Sequence, residues 1–206
     1  MSDRTQSMSL VAALRVLHET RQDEIIVTTM GSGREWTQFE PHPLDLVYVP
    51  SSMGQATSVG LGLALAQPGR RIVVCNGDGS MLMNLGSLVT ITSQQPKNMV
   101  LLLFDNGVYE VTGRQATPGA AELRADHCDT RFAEIAQACG FRETVEIWDL
   151  EEWKQRVNDI LHAVGPIFCC LKVAPVEGDV GPKSPGPAWQ RTSSFRDQFR
   201  TGTSPG

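Results

Sequence analysis

Two short polar segments, each directly after an apolar run, carry the residue types of a cation and phosphate site. Gly77-Asp78-Gly79-Ser80 follows Ile72–Asn76, and Asp105-Asn106-Gly107 follows Met99–Phe104. Apolar runs that end in glycines indicate buried strands that stop in tight turns. Glycine lets a backbone approach a phosphate closely, and Asp78 offers the carboxylate oxygen that Mg²⁺ binds together with substrate phosphates. If the two strands are parallel neighbours, the pattern predicts a metal–diphosphate site at their carboxyl ends.

The elements that must position these segments alternate between strand and helix. Apolar runs predict strands over residues 24–29, 46–49, 71–76, 99–104, 142–145 and 166–173. Amphipathic or small-residue-rich segments predict helices over residues 7–19, 34–39, 54–67, 81–94, 132–139 and 150–162. This alternation is typical of an α/β fold, and it predicts a doubly wound parallel sheet with helices on both faces.

One domain accounts for most of the chain. Residues 1–175 are predicted to form it, and residues 176–206, rich in Pro, Gly and Ser, are predicted to be an extended or partly disordered C-terminal arm. The segment 106–127 contains glycines and threonines and is predicted to be a long loop over the site. Loops of this length are more often functional than idle.

Composition excludes several classes of partner. The chain has 206 residues, a net charge of −5, 41% hydrophobic and 20% charged residues, which is typical of a globular protein. The negative balance argues against nucleic-acid binding, and no apolar run approaches the roughly 20 residues of a membrane span. The polar start, Met1–Ser9, lacks the apolar region of a signal peptide. Five cysteines without metal spacing favour reduced thiols and a cytoplasmic location.

The two polar segments resemble the metal-binding motif of thiamine diphosphate (ThDP) enzymes. That family has GDG followed by two asparagines, and Asp105 stands here in place of the first. Further segments resemble one branch, the sulfopyruvate and phosphonopyruvate decarboxylases: Thr28–Gly31, Ser51–Gly54, Gly60–Ala66 and Asp105–Thr117. The similarity runs from about residue 8 to about residue 175 and covers only the diphosphate-binding domain of that family.

The resemblance implies a role for each residue of the two segments. Asp78, the Asn106 side chain and the Val108 carbonyl are expected to bind Mg²⁺. Gly77, Gly79 and Ser80, with Asn106, are expected to contact the cofactor's diphosphate at the start of the following helix. Without the second segment, Asp78 would equally suit an ordinary helix cap.

Four further residues are expected near the cofactor, each with a purely structural alternative. Backbone groups of Ser51 and Met53 are implied to bind the aminopyrimidine ring, and the Met53 side chain to hold the cofactor bent; otherwise Met53 is core filler. Gly31 is expected near the diphosphate or substrate, or it belongs to a simple turn. Tyr109 is expected to contact the cofactor; the structural alternative is that its ring only packs against other side chains.

Two charged residues of the covering loop are less specific. Arg114 could counter an anionic substrate group, while Glu110 could be merely solvated. The four histidines, His18, His42, His127 and His162, show no metal spacing and are expected to be structural or exposed.

ThDP enzymes also use a glutamate on a separate pyrimidine-binding domain, and this chain shows one α/β pattern. The resemblance therefore implies that no catalytic residue lies in this chain and that a separate α subunit supplies the glutamate. The implied activity is decarboxylation of a small anionic 2-oxoacid by a β subunit, with sulfopyruvate giving sulfoacetaldehyde and CO₂. Alternatives are phosphonopyruvate decarboxylation, an acetolactate synthase-like carboligase, and a non-catalytic ThDP-binding subunit. Self-association to a dimer or larger assembly is also expected.

Overall fold

The computed structural model describes residues 8–48, 53–121, 128–176 and 185–199. Seven of its strands belong to one sheet: β1 (Met8–Ser9), β2 (Ile25–Thr29), β3 (Asp45–Tyr48), β4 (Ile72–Gly77), β5 (Met99–Asp105), β8 (Glu143–Ile147) and β9 (Ile167–Ala174). Two more, β6 (Val108–Tyr109) and β7 (Gln115–Ala116), form a small antiparallel hairpin.

Eight helices accompany the strands: α1 (Leu10–Thr20), α2 (Met30–Trp36), α3 (Ala56–Ala66), α4 (Asp78–Met83), α5 (Ser87–Gln94), α6 (Phe132–Cys139), α7 (Leu150–His162) and α8 (Ala188–Asp197), in the part of the chain that the structure describes. A 3₁₀ turn covers Glu110–Thr112.

All pairs in the large sheet are parallel, and the order is β1-β9-β5-β4-β2-β3, with β8 also paired to β9. The central strands β2, β4 and β5 are buried on both faces, and successive residues of β4 enter opposite cores. Val73 and Cys75 pack with α1 and α7, whereas Ile72 and Val74 pack with α3, α5 and α6. The predicted doubly wound α/β fold is confirmed.

Several helix ends follow from local sequence. Ser9 begins α1 and its hydroxyl accepts a hydrogen bond from the Ala12 N–H at 3.4 Å, as expected of an N-cap serine. Asp149 caps α7 in the same way through the Glu152 N–H at 2.9 Å. The α6 helix ends at Gly140 with φ +100°, a left-handed position that favours glycine.

Two predicted helices are wrong in extent. The single helix predicted over residues 81–94 is two helices, because the chain leaves helical geometry at Asn84 (φ −143°) between α4 and α5. The helix predicted over residues 34–39 is α2, which contains Gly31-Ser32-Gly33 instead of following it. The Ser32 hydroxyl donates to the carbonyls of Thr29 and Cys75, so this helix is tied to β2 and β4 from its first turn.

The C-terminal arm is not wholly extended, because residues 188–197 form α8. Phe195 is 7% exposed and packs into the core beside α3, and it contacts Phe199 at 5.1 Å between ring centroids. Arg191 donates to the Val47 carbonyl of the edge strand β3. Composition predicted an extended arm because α8 is polar overall. Phe195 is the one residue of α8 that is buried.

We expect Phe195→Ala to lower the free energy of unfolding by about 2 kcal/mol or more, because it removes a buried aromatic side chain. Trp189→Ala is the matched control on the same helix, since Trp189 is 71% exposed, and it should change stability by less than about 0.5 kcal/mol. Urea unfolding of the full chain measures both. Equal losses for the two variants would show that α8 is not docked through Phe195.

Candidate cofactor site

The site lies where the chain changes direction across the sheet. From β2 the chain runs to β3 at the edge of the sheet. It then returns to β4, on the other side of β2, and continues to β5. In open α/β sheets a crevice forms outside the carboxyl ends of strands at such a point. A cleft occupies this position, lined by residues that follow β2, β4 and β5 and by the covering segment: Leu10, Thr29–Ser32, Met53, Gly77–Ser80, Phe104, Asn106 and Val108–Thr112.

Asp78 is a buried carboxylate at the first position of α4. Only 2% of the residue is exposed, and Oδ2 accepts a hydrogen bond from the Thr117 hydroxyl at 3.1 Å. Burial, and secondly the neighbouring charge of Asp105, raise the pKa of Asp78 to about 7. A carboxylate held in such a place destabilises the fold when ionised, and a bound cation would offset that cost.

Asn106 and Val108 reach the same cleft from β5. The β4–β5 register aligns Gly77 with Phe104, so the two polar segments leave the sheet side by side. Asn106 Oδ1 accepts a hydrogen bond from the Val108 N–H at 2.9 Å, which folds the chain back over the strand end. The sequence prediction that both segments converge at one edge is confirmed.

The two glycines around Asp78 face different surroundings. A Cβ atom built on Gly77 meets no atom within 4 Å, so this position opens into free space. A Cβ on Gly79 would lie 2.5 Å from Tyr109 Cε1 and 3.5 Å from Met53 Cε. Gly79 is therefore required for close packing of the Tyr109 ring, while Gly77 leaves room for a ligand.

Gly54 anchors the segment that carries Met53. It has φ +84°, and its N–H donates to the Ser80 hydroxyl at 2.8 Å. The Asn84 amide donates to the Gly54 carbonyl at 2.8 Å. A Cβ on Gly54 would lie 2.9 Å from Asn84 Cβ, so the close approach also requires glycine. These two hydrogen bonds, from α4 and from its C-cap Asn84, hold the segment that carries Met53 in the cleft. The sequence did not indicate this role for Asn84.

Gly31 lies in the first turn of α2, against Glu110. A Cβ on Gly31 would be 2.9 Å from Glu110 Oε2, and Glu110 Oε1 accepts a hydrogen bond from the Val176 N–H at 2.7 Å. The interpretation of Glu110 as merely solvated is wrong, because it joins the covering segment to the chain after β9.

The remaining predicted residues divide between the cleft and other places. Arg114 is exposed, and the described residues that line the cleft do not include it. Ser51 lies outside the described residues. Thr117, whose hydroxyl holds Asp78, stands 39 positions from it in the chain, and no local sequence signal connects the two.

In the ranges 8–48, 53–121, 128–176 and 185–199, no three His, Cys, Asp or Glu side chains are grouped as a metal site. No helix in those ranges is both long and apolar enough to span a bilayer. A larger groove, of about 460 Å³, lies between α8 and β3, and no residue of the two polar segments lines it.

The fold and this crevice define a doubly wound α/β domain that binds a ligand at its strand ends. A solved structure with the same fold is described as a thiamin diphosphate-dependent enzyme from Mycobacterium smegmatis. It aligns with a TM-score of 0.65 at 20% identity, over 82% of this chain and 32% of that one.

The family model described as thiamine pyrophosphate enzyme, C-terminal TPP binding domain, matches residues 28–170, and the chain belongs to this family. The match includes both polar segments of the cleft.

Relatives of two kinds are similar to the chain. The sulfopyruvate decarboxylase β subunit of Methanothermobacter thermautotrophicus is 37% identical over 82% of this chain and 84% of its own length. That of Methanocaldococcus jannaschii is 36% identical over 72% of this chain and 74% of its own length. The phosphonopyruvate decarboxylase of Streptomyces viridochromogenes is 38% identical over 80% of this chain, and the chain spans 40% of that enzyme.

We expect Asp78→Asn to stabilise the cofactor-free chain at neutral and alkaline pH. In the folded chain the pKa of Asp78 is raised to about 7 from its ordinary value of 3.8. Its ionisation therefore costs nothing below about pH 4, lowers stability as the pH rises toward 7, and costs a constant amount above that. The gain above pH 7 should be about 1–4 kcal/mol, measured by urea unfolding at several pH values. A stability difference that does not change between pH 4 and 8 would contradict the burial of an ionised Asp78.

Proposed function

We propose that the chain is the diphosphate-binding β subunit of a ThDP- and Mg²⁺-dependent decarboxylase of small anionic 2-oxoacids. Sulfopyruvate is the first candidate substrate, with sulfoacetaldehyde and CO₂ as products. The observation that carries the proposal is the buried Asp78 carboxylate beside Asn106 at the direction change of the sheet. When bound, ThDP supplies the electron sink that 2-oxoacid decarboxylation requires.

The donor set fits a hard cation bridged to a diphosphate. Asp78 and Asn106 would supply a carboxylate and an amide oxygen, and Val108 a carbonyl oxygen. Mg²⁺ binds in proteins through one or two carboxylates together with substrate phosphates. Gly77 leaves open space beside these oxygens, and the first N–H groups of a helix such as α4 have no partners within the helix. Gly79 and Ser80 would offer these N–H groups to the diphosphate.

Met53 and Tyr109 would shape the cofactor. The Ser80 and Asn84 hydrogen bonds to Gly54 hold Met53 against the cleft, which supports its role as a rigid support under a bent cofactor. Tyr109 lies on Gly79 and would close the diphosphate side of the cleft.

The proposal includes a pyrimidine-binding α subunit that brings the catalytic glutamate. The cleft encloses about 60 Å³, whereas a cofactor pocket usually encloses about 300 Å³ or more, which supports a site that a second subunit completes. The chain also matches 84% of the length of a relative that is itself named a β subunit. Exposed apolar side chains on α3, α4 and α5, at Leu65, Met83 and Val89, offer surfaces for the α subunit and for self-association into at least a dimer.

Substrate choice is expected to depend on residues outside this cleft. Among the described residues that line it, none is lysine or arginine, although an anionic 2-oxoacid needs a cationic or donor-rich partner. Phosphonopyruvate is the second candidate, because its decarboxylase is as similar, at 38% identity, as the sulfopyruvate relative at 37%.

The activity is tested by assaying CO₂ release from sulfopyruvate, phosphonopyruvate and pyruvate with ThDP and Mg²⁺. We expect no turnover by the purified chain and turnover after addition of the α subunit, with sulfopyruvate preferred. Turnover by the isolated chain that Glu110→Gln abolishes would contradict the split site, since Glu110 is the glutamate that lines the described cleft. Condensation products without aldehyde would favour a carboligase, and no reaction with the α subunit would favour a non-catalytic subunit.

Met53→Ala should lower kcat of the reconstituted enzyme by about 100-fold, because a small misplacement of reacting groups costs that much. The Kd of ThDP should change by less than about 5-fold, because the diphosphate contacts remain. Val164→Ala is the control, since Val164 is 49% exposed and lies outside the cleft and the proposed subunit surface, and it should leave kcat unchanged. Equal effects of the two substitutions would show that Met53 is only packing.

A further inference from the structure

A buried lysine lies beside the cofactor site without lining its cleft. Lys172 is on β9, directly opposite Asp105 at the end of β5 in the strand register. Its Nζ atom is 2.5 Å from Asp105 Oδ2 and 3.2 Å from Asp129 Oδ2. Lys172 is 4% exposed and Asp105 is 9% exposed. The Trp148 ring covers the amine at 5.2 Å from its centroid.

Asp105 is the residue that departs from the family's two asparagines, and it directly precedes Asn106. The last pair of the β4–β5 register is Gly77 with Phe104, and Asp78 and Asp105 are the next residues after that pair. Two carboxylates therefore stand at neighbouring strand ends. The Asp105 carboxylate is paired with Lys172 on β9. Asp105 is not among the described residues that line the cleft with Asp78 and Asn106.

The second carboxylate on Lys172 extends the connection to the segment that covers the site. Asp129 Oδ1 accepts a hydrogen bond from the Ala121 N–H at 3.0 Å. Ala121 follows Ala120, whose N–H donates to the Thr117 carbonyl at 2.9 Å. Thr117 is in turn bound to Asp78. Lys172 thus joins the strand end that carries Asn106 to the segment that holds Asp78.

Stability alone does not explain this arrangement. Buried ion pairs usually contribute little net stability, and apolar residues of similar volume often do as well, whereas removal of one partner is costly. Partners that orient metal ligands, by contrast, commonly change metal affinity by about 10–100-fold when they are mutated.

We infer that Lys172 is a positioning residue of the cofactor site, which acts through Asp105. It keeps the Asp105 carboxylate out of the cation's ligand set and fixes the strand end that presents Asn106. This inference rests on the proposed function, since it concerns the same cation and diphosphate site.

The test is ThDP binding by the chain reconstituted with its α subunit at a fixed Mg²⁺ concentration, measured by calorimetry at a temperature where circular dichroism shows every variant folded. We expect Lys172→Met to raise the Kd of ThDP by at least about 10-fold. The double variant Asp105→Asn/Lys172→Met should recover to within about 3-fold of the unsubstituted chain, because the Asp105 carboxylate that loses its partner is then a neutral amide. Lys172→Arg keeps the charge and should bind within about 5-fold.

Lys154→Met is the matched control, because Lys154 forms an exposed ion pair with Glu151 on α7, and it should leave the Kd unchanged. If Lys172→Met does not fold, Lys172→Gln replaces it in the same comparison. A folded Lys172 variant with an unchanged Kd, or a double variant no better than the single one, would overturn the inference while leaving the proposed function intact. Absence of Mg²⁺-dependent ThDP binding by the unsubstituted chain reconstituted with its α subunit would overturn both.

Discussion

The parallel pairing of β4 with β5 is the constraint on which the site depends. It brings Asp78 and Asn106 to one edge of the sheet although they stand in separate segments of the chain. The pairing is stable because both strands are buried on both faces, where apolar side chains fill two cores. Since side chains alternate between faces, a shift of register by one residue would move every apolar residue to the wrong core. The position of the polar segments is therefore set by the whole sheet.

A second layer of contacts converts this edge into a shaped cleft. Ser80 of α4 and Asn84 at the end of that helix form hydrogen bonds with Gly54 and so position Met53. Thr117 returns from the covering segment to bind Asp78, and Lys172 holds Asp105 from β9. These contacts join segments that are distant in sequence, and Asp78 is the one residue of the GDG motif that takes part in them. The site is rigid because its motif is supported from several directions.

Sequence patterns were sufficient for what local physics determines. The strand and helix alternation, the α6 and α7 helices and the convergence of the two polar segments were all predicted from apolar periodicity, capping residues and glycine positions. The break at Asn84 was not, because it arises from a hydrogen bond to Gly54, 30 positions away. The α8 helix was missed since its composition is polar and Phe195 is its one buried residue. The roles of Thr117 and Lys172 depend on tertiary contacts, which no spacing rule reveals.

The central claim is that a divalent cation binds between the ends of β4 and β5 when ThDP is present. The most direct measurement is a crystal structure of the chain with its α subunit, ThDP and Mn²⁺, in which anomalous scattering locates the cation. We predict one anomalous peak at about 2.0–2.3 Å from the side-chain oxygens of Asp78 and Asn106, as expected for a small hard cation. A peak ligated by other residues, or bound diphosphate without a cation at these side chains, would contradict the account.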